Sequence, residues 1–459
     1  MAKKKSAKRL SGRKPAGLAR HQKIQPSLHR RLENSLWSRI LVKLKDPEEF
    51  EEAAAMARGD MRRKARTRQA SAQHLKECAD HCQQQCCSYI DSLLPKEASR
   101  LVAAGFKLPD GKTPGLERYW INNSLVLDAT CELICGLADR DDVAYVEQLH
   151  FEEPLRLLDG QTLAESQVTW GLQRLRIPEI WARGFRGQGM KIAHLDTGVD
   201  GTHPDLTGKI NQFVFVLSDG TRVPFAAFDT DDHGTHTAGT IVGGSTQGIS
   251  IGVAPDARLL SAAVIEGGQV INRVLSGMEW AIEQDADVIS MSLGFQTSGF
   301  FGVSPATFET AVNNLIFADV FPAIAIGNEG VGTGRTPGLN VMSWSVGATD
   351  RSDRIAGFSS GLFVNRPSDR VQPDVSAPGV DVRSALPGGG HGFNNGTSMA
   401  TPHVAGVAAL LRQAAPGASV SDIKTVLAQT ALDLGRFGDD IRFGFGRIQP
   451  VDALNALLS

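Results

Sequence analysis

Short runs of this 459-residue sequence contain residue types that can build a nucleophilic catalytic site. Residues 396–406 read GTSMATPHVAG, in which Ser398 follows a glycine-led turn and opens an apolar helix of small residues. A serine placed there is exposed, fixed in position and near the positive end of a helix dipole. Pro402 fits the first turn of such a helix, where amides have no intrahelical partner to lose. A lone serine in this setting is more often a helix cap, so the run needs support from elsewhere.

That support comes from an acid and two histidines upstream. Residues 191–200 read KIAHLDTGVD, which indicates a buried strand that ends at Asp196 before a glycine turn. Residues 231–239 read DDHGTHTAG and offer His233 and His236 at the start of another small-residue helix. A serine hydroxyl needs a base within hydrogen-bond reach, and the base needs an orienting partner. The chain order Asp, His, Ser is one of the known orders of a nucleophilic triad.

Residues 325–330, which read AIGNEG, add a fourth run in the same order. With these four runs the chain resembles the subtilisin-like serine proteases (subtilases), and the resemblance covers about residues 165–459. It implies that His233, the first histidine of HGTH, is the base, that Ser398 is the nucleophile and that Asp196 orients the base. It also implies that Asn328 and the backbone N–H of Ser398 donate to the oxyanion. The implied activity is that of a serine endopeptidase, which needs no cofactor for its chemistry.

The resemblance further indicates where a protein or peptide substrate binds. The substrate backbone is expected to pair as an added strand with two edges of the protein. Residues 292–295 and 325–327 would wall the first specificity pocket, with Glu329 near its rim. Apolar walls favour a large apolar side chain, and Glu329 adds tolerance for lysine or arginine. The residues expected to bind substrate are Gly267, Gly268, Gln269, Val270, Ile271, Ser292, Leu293, Gly294, Phe295, Ala325, Ile326, Gly327 and Glu329.

A structural calcium ion is a further expectation from the resemblance. Asp205, in the run THPDL, matches a carboxylate that binds calcium in many subtilases. In the loop of residues 244–249, Thr246 stands where the family commonly has an asparagine ligand. Because calcium prefers several oxygen ligands, this difference predicts a weakened site at Asp205.

Charge is distributed unevenly along the chain. The formal net charge is −2, which gives the whole chain no strong bias towards nucleic acid or membranes. Residues 1–32 nevertheless contain 11 lysines and arginines and no acid, leaving 37 basic against 50 acidic residues in the remainder. This basic arm is interpreted as a solvated disordered tail, with binding to a polyanion or a protein partner as the alternative.

All six cysteines lie before residue 136, so the protease-like part has none. Cys78, Cys82 and Cys86 are spaced four apart, with His74 one step earlier, which places them in one stripe if the segment is helical. The simplest interpretation is a row of reduced, half-buried thiols that pack a helix face. A metal site and redox control remain alternatives, although the spacing matches no standard zinc signature.

From about residue 190 onward, apolar strands alternate with small-residue helices. Strands are predicted at 190–195, 258–264, 286–291, 321–326 and 341–347. This alternation predicts an α/β fold with a subtilisin-like parallel sheet flanked by helices. A smaller α+β domain precedes it, and the helix near 130–138 with the strand at 143–147 resembles the end of the subtilase inhibitory propeptide.

Four segments follow from this organisation. Residues 1–34 are predicted to be a basic disordered arm, and residues 35–150 a propeptide-like domain. That domain contains a helical insertion at about 48–105, broken at Gly59 and Pro95. Residues 151–165 form a linker and the expected processing region. Residues 166–459 form the peptidase domain.

The prediction is therefore a serine endopeptidase made as a zymogen or with a regulatory N-terminal domain. One alternative keeps the triad but transfers the acyl group to an amine, which makes a transpeptidase or macrocyclase. Another is an adaptor that acts through the N-terminal region. No apolar segment follows the basic start and no run of 18 apolar residues occurs, so we expect no membrane span and a cytoplasmic location. The sequence does not indicate an oligomeric state.

Overall fold

A computed structural model describes residues 21–32, 35–57, 68–103, 106, 115–149, 158–161, 167–297, 302–365 and 369–459 of the chain. These residues divide into two compact units. The first contains the described parts of Met1–Lys45, His81–Arg118 and Asn123–Leu149. The second contains the described parts of Asp46–Asp80, Tyr119–Asn122 and His150–Ser459.

The helices and strands alternate along most of the chain. The N-terminal third contains α1 (Pro26–Leu32), β1 (Trp37–Leu44), α2 (Glu48–Ala57), α3 (Arg68–Ala103), β2 (Glu117–Tyr119), β3 (Ser124–Thr130), α4 (Cys131–Ala138) and β4 (Val143–Gln148). There follow β5 (Leu158–Asp159), α5 (Trp170–Arg174), α6 (Ile177–Ala182), β6 (Lys191–Asp196), β7 (Ile210–Val216), β8 (Arg222–Pro224), α7 (His233–Val242), β9 (Arg258–Ala263), α8 (Val270–Glu283), β10 (Val288–Met291), β11 (Phe295–Gln296), α9 (Ala306–Phe317), β12 (Phe321–Ala325), β13 (Arg335–Thr336) and β14 (Trp344–Thr349). The chain continues with β15 (Leu362–Asn365), β16 (Asp369–Gln372), β17 (Val375–Pro378), β18 (Val382–Leu386), β19 (Gly390–Asn395), α10 (Thr397–Ala414), α11 (Val420–Gln429) and α12 (Pro450–Leu458).

The first unit is built on a four-stranded sheet in the order β2-β3-β1-β4. β1 pairs antiparallel with both β3 and β4. Ile40, Val42 and Leu44 alternate along β1, so they point to one face of the sheet. There they pack with Cys86 and Ile90 of α3 in a single apolar core. Helices therefore cover one face of this antiparallel sheet, as in an α+β domain.

The second unit contains an eight-stranded sheet in the order β17-β14-β12-β10-β6-β9-β7-β8. Every neighbouring pair from β17 to β7 is parallel, and only β8 at the edge is antiparallel. The strands β10, β12 and β14 are buried along their whole length, as a sheet covered on both faces requires. The helices α9 and α10 pack on these strands, and α7 and α8 pack on β6 of the same sheet. This is the predicted α/β sheet flanked by helices.

The carboxyl ends of the parallel strands meet at one edge of this sheet, where an α/β fold places its ligands. β6 ends at Asp196 there, and the turns after β10 and β12 begin at the same edge. Among the described residues, no helix is both long enough and apolar enough to cross a membrane.

The N-terminal part differs from the sequence prediction in three ways. The predicted disordered arm of residues 1–34 is folded over 26–32, because Leu28 and Leu32 of α1 are buried in the core of the first unit. α3 runs through Pro95 without the expected break. The contacts assign Asp46–Asp80 and Tyr119–Asn122 to the second unit, although both lie within the predicted domain of 35–150.

Some predictions fall on residues outside the described ranges. These are most of the basic arm (1–20), the break at Gly59, and all of the predicted processing region of 151–165 except residues 158–161. Residues 158–159 form β5, which pairs antiparallel with β19 in a three-stranded sheet. The N–H of Gly160 also donates to the carbonyl of Phe393 at 2.9 Å. This short segment is therefore held on the second unit.

Candidate active site

Three elements of the second unit carry the predicted triad. Asp196 is the last residue of β6, His233 is the first residue of α7, and Ser398 is the second residue of α10. α7 and α10 pack against each other, and both contact β6. The fold therefore brings residues that are up to 202 positions apart in sequence to one edge of the sheet.

The Asp196 carboxylate and the His233 imidazole form a buried contact at the centre of the site. The distance from His233 Nδ1 to Asp196 Oδ1 is 2.6 Å, and the two residues are 3% and 0% exposed. Asp196 Oδ1 also accepts from the N–H of Thr197 at 2.8 Å, and Oδ2 accepts from Thr237 Oγ1 at 3.0 Å. These bonds place the proton on Nδ1, and His233 Nε2 has no partner among the described residues.

This contact shifts both pKa values. Burial alone would raise the pKa of Asp196, but the facing imidazole and the hydrogen bonds outweigh it and lower that pKa below its usual range. Burial alone would lower the pKa of His233, but the charge of Asp196 and their hydrogen bond raise it above its ordinary value of about 6.5. The pair can therefore stabilise an imidazolium, as a base that takes a proton from serine must.

Ser398 is held by a backbone carbonyl rather than by His233. Its Oγ donates to the carbonyl of Ser292 at 3.2 Å, and the residue is 2% exposed. α10 begins at Thr397, so Pro402 lies in the second turn and not in the first turn as predicted. A proline there leaves the carbonyl four residues earlier, that of Ser398, without its helical donor. The hydroxyl of Ser292 donates to this carbonyl at 2.8 Å and so fixes the backbone of the turn.

Asn328 lies beside the same turn with its amide aimed into the site. Its Oδ1 accepts from the N–H and from Oγ1 of Thr397, each at 2.9 Å. Its Nδ2 is buried and has no partner among the described residues. The N–H of Ser398 is a first-turn amide of α10, which the helix itself leaves without an acceptor. Two N–H donors are therefore available next to the serine.

His236 does not compete with His233 for the role of base. Its Nε2 donates to the carbonyl of Val382 at 3.0 Å, and the side chain is fully buried. Burial lowers the pKa of His236 to about 3, so the ring stays neutral as a structural group. Sequence reasoning missed Thr237, whose hydroxyl holds Asp196, and it named Ser292 only as a substrate-binding residue, not as the hydroxyl that holds the turn of Ser398. Thr237 could have been found from its place one helical turn after His233.

The expected substrate segments are only partly available. Residues 266–269 form a partly exposed loop, but α8 begins at Val270, and Val270 and Ile271 are buried in it. These two residues cannot present a backbone edge, which corrects the prediction for them. The other expected residues, Ser292, Leu293, Gly294, Phe295, Ala325, Ile326 and Gly327, line the turns after β10 and β12. Phe295 already pairs with Thr336 in the β11–β13 ladder.

The expected calcium site at Asp205 is occupied by the protein's own donors. Asp205 Oδ1 accepts from the N–H of Thr246 at 2.7 Å, and Oδ2 lies 2.7 Å from His391 Nε2. Arg383 donates to His391 Nδ1, so the proton of His391 sits on Nε2 and points at Asp205. Burial would raise the pKa of Asp205, but these hydrogen bonds lower it below its usual range.

Calcium does not fit this arrangement. Among the described residues, His203, Asp205 and His391 are the one group of three side chains whose metal-binding atoms lie within 4.8 Å of each other. His203 accepts from the N–H of Asp205 and donates to the carbonyl of Gly390, so both of its nitrogens are used. Calcium needs several oxygen ligands, and here N–H donors and imidazoles face the carboxylate. The imidazole of His391 lies against the Asp205 carboxylate, where the sequence analysis predicted a calcium ion.

Three of the six cysteines are buried and the other three are half-buried. All six lie in the described part of the chain and none forms a disulfide. Cys86, Cys87 and Cys131 belong to the core of the first unit. Burial raises the pKa of the Cys86 thiol to about 12, so it has little thiolate at neutral pH. This favours the packing interpretation over redox control.

Comparison with known proteins agrees with this geometry. Residues 187–446 match the subtilase family. Subtilisin E of Bacillus subtilis (strain 168) is 36% identical over 300 residues, which is 64% of this chain and 71% of that protein. M-protease of Shouchella clausii (strain KSM-K16) is 38% identical over 281 residues, covering 60% and 67%. Subtilisin Savinase of Lederbergia lenta is 38% identical over 275 residues, covering 58% and 93%.

The occupied carboxylate predicts that Asp205 does not bind calcium. Calcium at a concentration one hundred times its dissociation constant would add about 2.7 kcal/mol to the free energy of unfolding. We therefore expect that any effect of calcium on the melting temperature is the same in the unmodified chain and in the Asp205→Asn variant. His391→Ala should cost about 1–3 kcal/mol in calcium-free buffer, because it leaves a buried carboxylate oxygen unpaired. Differential scanning calorimetry in EDTA and in calcium measures both.

His81→Ala, at an exposed position of α3, serves as the control and should leave the melting temperature unchanged. A calcium-dependent stabilisation of the unmodified chain that Asp205→Asn abolishes would show that the carboxylate binds the ion after all.

Proposed function

The chain belongs to the subtilase family of serine-type endopeptidases, and on this premise we propose that it hydrolyses peptide bonds through an acyl-enzyme on Ser398. The observation that carries this proposal is the buried 2.6 Å contact between Asp196 and His233, which leaves His233 Nε2 without a partner among the described residues. A base that is held in one tautomer and keeps its other ring nitrogen available is what nucleophilic catalysis requires.

The proposed reaction begins when Ser398 Oγ turns from the carbonyl of Ser292 towards the substrate carbonyl carbon. His233 Nε2 takes the Oγ proton as the C–O bond forms, and Asp196 stabilises the resulting imidazolium. The tetrahedral intermediate collapses as the C–N bond breaks, and the amine leaves with the proton from His233. Water then attacks the ester, with His233 again as base, and releases the acid product and Ser398.

The negative charge on the intermediate's oxygen needs donors that are already in place. We assign this role to Asn328 Nδ2 and to the backbone N–H of Ser398. Thr397 fixes the Asn328 amide through both of its bonds to Oδ1, so the donor does not reorganise during the reaction. Preorganised donors of this kind supply a large part of the rate enhancement in acyl transfer.

We also propose that the N-terminal region inhibits the peptidase until it is processed. The first unit has the small α+β architecture that the propeptide resemblance implies. The N–H groups of Trp120 and Ile121 donate to Glu279 Oε1 of α8 at 2.7 and 3.2 Å, and Asn314 of α9 donates to the Ile121 carbonyl at 2.8 Å. A segment held on the peptidase in this way keeps the attached inhibitor at high effective concentration.

Two further expectations stay proposals. A polyanion or protein partner for the basic arm rests on the charge of residues 1–32, of which residues 1–20 lie outside the described ranges. A cytoplasmic location rests on the sequence alone.

The triad predicts that the losses of kcat caused by substituting its members are not additive. Alanine at Ser398, His233 or Asp196 should each lower kcat by about 10⁴- to 10⁶-fold, the range established for subtilisin, and a double variant should lose little more. Asn328→Leu should lower kcat by about 10²- to 10³-fold, again as in subtilisin. Steady-state hydrolysis of a peptide substrate measures these losses.

Labelling of Ser398 by a fluorophosphonate separates the two histidines. It should disappear in His233→Ala and persist in His236→Ala, because His236 Nε2 is bonded to a backbone carbonyl. Labelling that is lost only with His236 would reverse the assignment of the base.

The raised pKa of His233 predicts the acid limb of the pH profile. Catalysis needs neutral His233, so kcat/KM should fall as the pH drops through a midpoint above about 6.5. The charge of Asp231 contributes to the raised pKa, so Asp231→Asn should move this midpoint to lower pH without changing the plateau. Measuring kcat/KM from pH 5 to 9 tests this. Asp439→Asn, at another exposed acid, is the matched control, and equal shifts in both variants would argue against a local effect.

Processing is predicted to occur outside residues 158–161. These residues are bonded to β19 and to Asp381, so they cannot at the same time lie extended in the cleft. Within the expected processing region of 151–165 the cut should therefore fall in 151–157 or 162–165, and it should not occur in Ser398→Ala. Intact-mass spectrometry of the purified wild type beside Ser398→Ala locates the bond. A wild-type chain that stays intact while fully active would contradict the inhibitory role of the N-terminal region.

A further inference from the structure

We propose that Arg335 fills the pocket beside Ser398 that receives the substrate side chain on the acyl side of the cleaved bond, so that the peptidase selects small side chains there. The inference rests on the proposed proteolysis at Ser398 and names the substrate class of that site. It replaces the sequence-based expectation of a large apolar side chain with tolerance for lysine or arginine.

The pocket is the crevice between the turns that follow β10 and β12, which are neighbouring parallel strands. Ser292, in the turn after β10, exchanges two hydrogen bonds with Ser398. Gly327, in the turn after β12, donates its N–H to Thr397 Oγ1 at 3.3 Å. Both walls are thus tied to the turn that carries the nucleophile, and the crevice between them opens at Ser398.

A glycine in each wall faces the side chain of Arg335. A methyl group added at Gly294 would lie 2.7 Å from Arg335 Cβ and 3.4 Å from its Cδ. A methyl group added at Gly327 would lie 3.2 Å from Arg335 Cγ. The absence of side chains at these two positions leaves a slot, and the aliphatic stem of the arginine occupies it.

The backbone of Arg335 is fixed to both walls. Its N–H donates to the carbonyl of Ile326 at 2.8 Å. β13, which begins with Arg335, pairs antiparallel with β11 directly after Gly294. The stem therefore enters the slot from an ordered strand, and the backbone that carries it cannot move aside without disturbing that ladder.

The guanidinium is held as firmly as the stem. Nη1 donates to the carbonyl of Gly294 at 2.9 Å, and Nε and Nη2 approach Glu329 Oε1 at 2.8 and 2.6 Å. The Arg335 side chain is 8% exposed and that of Glu329 is 31% exposed. Glu329 thus neutralises the arginine and is not a free acid at the rim. A large side chain could enter only by breaking this ion pair, which would leave the buried guanidinium of Arg335 without its counter-charge.

The charges of the pair also disfavour both kinds of charged substrate side chain. Arg335 and Glu329 are already paired with each other, so neither is free to compensate the charge of an acidic or a basic substrate side chain. Glycine, alanine and serine need neither the slot nor a change in the ion pair. The geometry therefore favours these small residues over phenylalanine, leucine, glutamate and lysine.

The test uses five peptide substrates that differ only at the acyl-side residue, which is Ala, Phe, Leu, Glu or Lys. The unmodified protein should prefer Ala to Phe in kcat/KM by at least about tenfold, since a poor fit of a few methylenes is worth that much. The double variant Arg335→Gly/Glu329→Gln opens the slot without leaving a charge and should raise the Phe-to-Ala ratio by about 10²-fold. Arg335→Met keeps a stem in the slot and should keep the preference for Ala.

Arg354→Ala is the matched control, since the Arg354 side chain is 79% exposed and pairs with Asp350 outside the site. Fluorophosphonate labelling of Ser398 distinguishes a failure of the proposed function from a failure of the role assigned to Arg335. A wild type that is processed in its N-terminal region and yet is neither labelled nor active would refute the proposed function. A labelled wild type that prefers Phe or Leu would overturn the role of Arg335, whether or not the double variant folds. A labelled double variant with an unchanged Phe-to-Ala ratio would overturn it equally.

Discussion

The buried contact between Asp196 and His233 is the constraint on which the rest of the peptidase unit depends. Removing a carboxylate from water is costly unless its oxygens are bonded, and here Thr197, Thr237 and His233 bond them. Such an arrangement requires that β6 end at a fixed distance from the start of α7. The central place of β6 in the parallel sheet provides this, because β9 and β10 hold it on either side.

The serine side of the site follows from a second local requirement. Ser398 must stand at the start of α10 with its amide available, and the helix must still tolerate Pro402 in its second turn. Ser292 resolves this by donating to the carbonyl that the proline leaves unbonded. Ser292 also lies in one wall of the proposed pocket. One residue therefore both replaces the helical hydrogen bond that Pro402 removes and helps to shape the proposed substrate site.

The sequence predicts much of this architecture because its signals are local. Runs of apolar residues locate β6, β9, β10 and β12 to within about two residues, and the motifs around Asp196, His233 and Ser398 identify residues that the fold brings together. The missed features depend on contacts between distant segments. Nothing near Arg335 indicates that β13 pairs with β11, and nothing near Asp205 reveals the amide of Thr246 or the imidazole of His391. The burial of Leu28 and Leu32 was likewise hidden by the basic residues around them.

The division of the chain into two units has a kinetic consequence. Asp46–Asp80 and Tyr119–Asn122 precede the linker in sequence but belong to the unit that contains the triad. Arg68 pairs with Asp287 and Lys76 pairs with Glu283 within that unit, alongside the bonds of Trp120 and Ile121 to Glu279. Cutting one bond after these segments breaks none of these contacts. Under the proposed processing, hydrolysis and separation are therefore distinct events, and a dissociation rate rather than the rate of the cut would set the lifetime of the inhibited state.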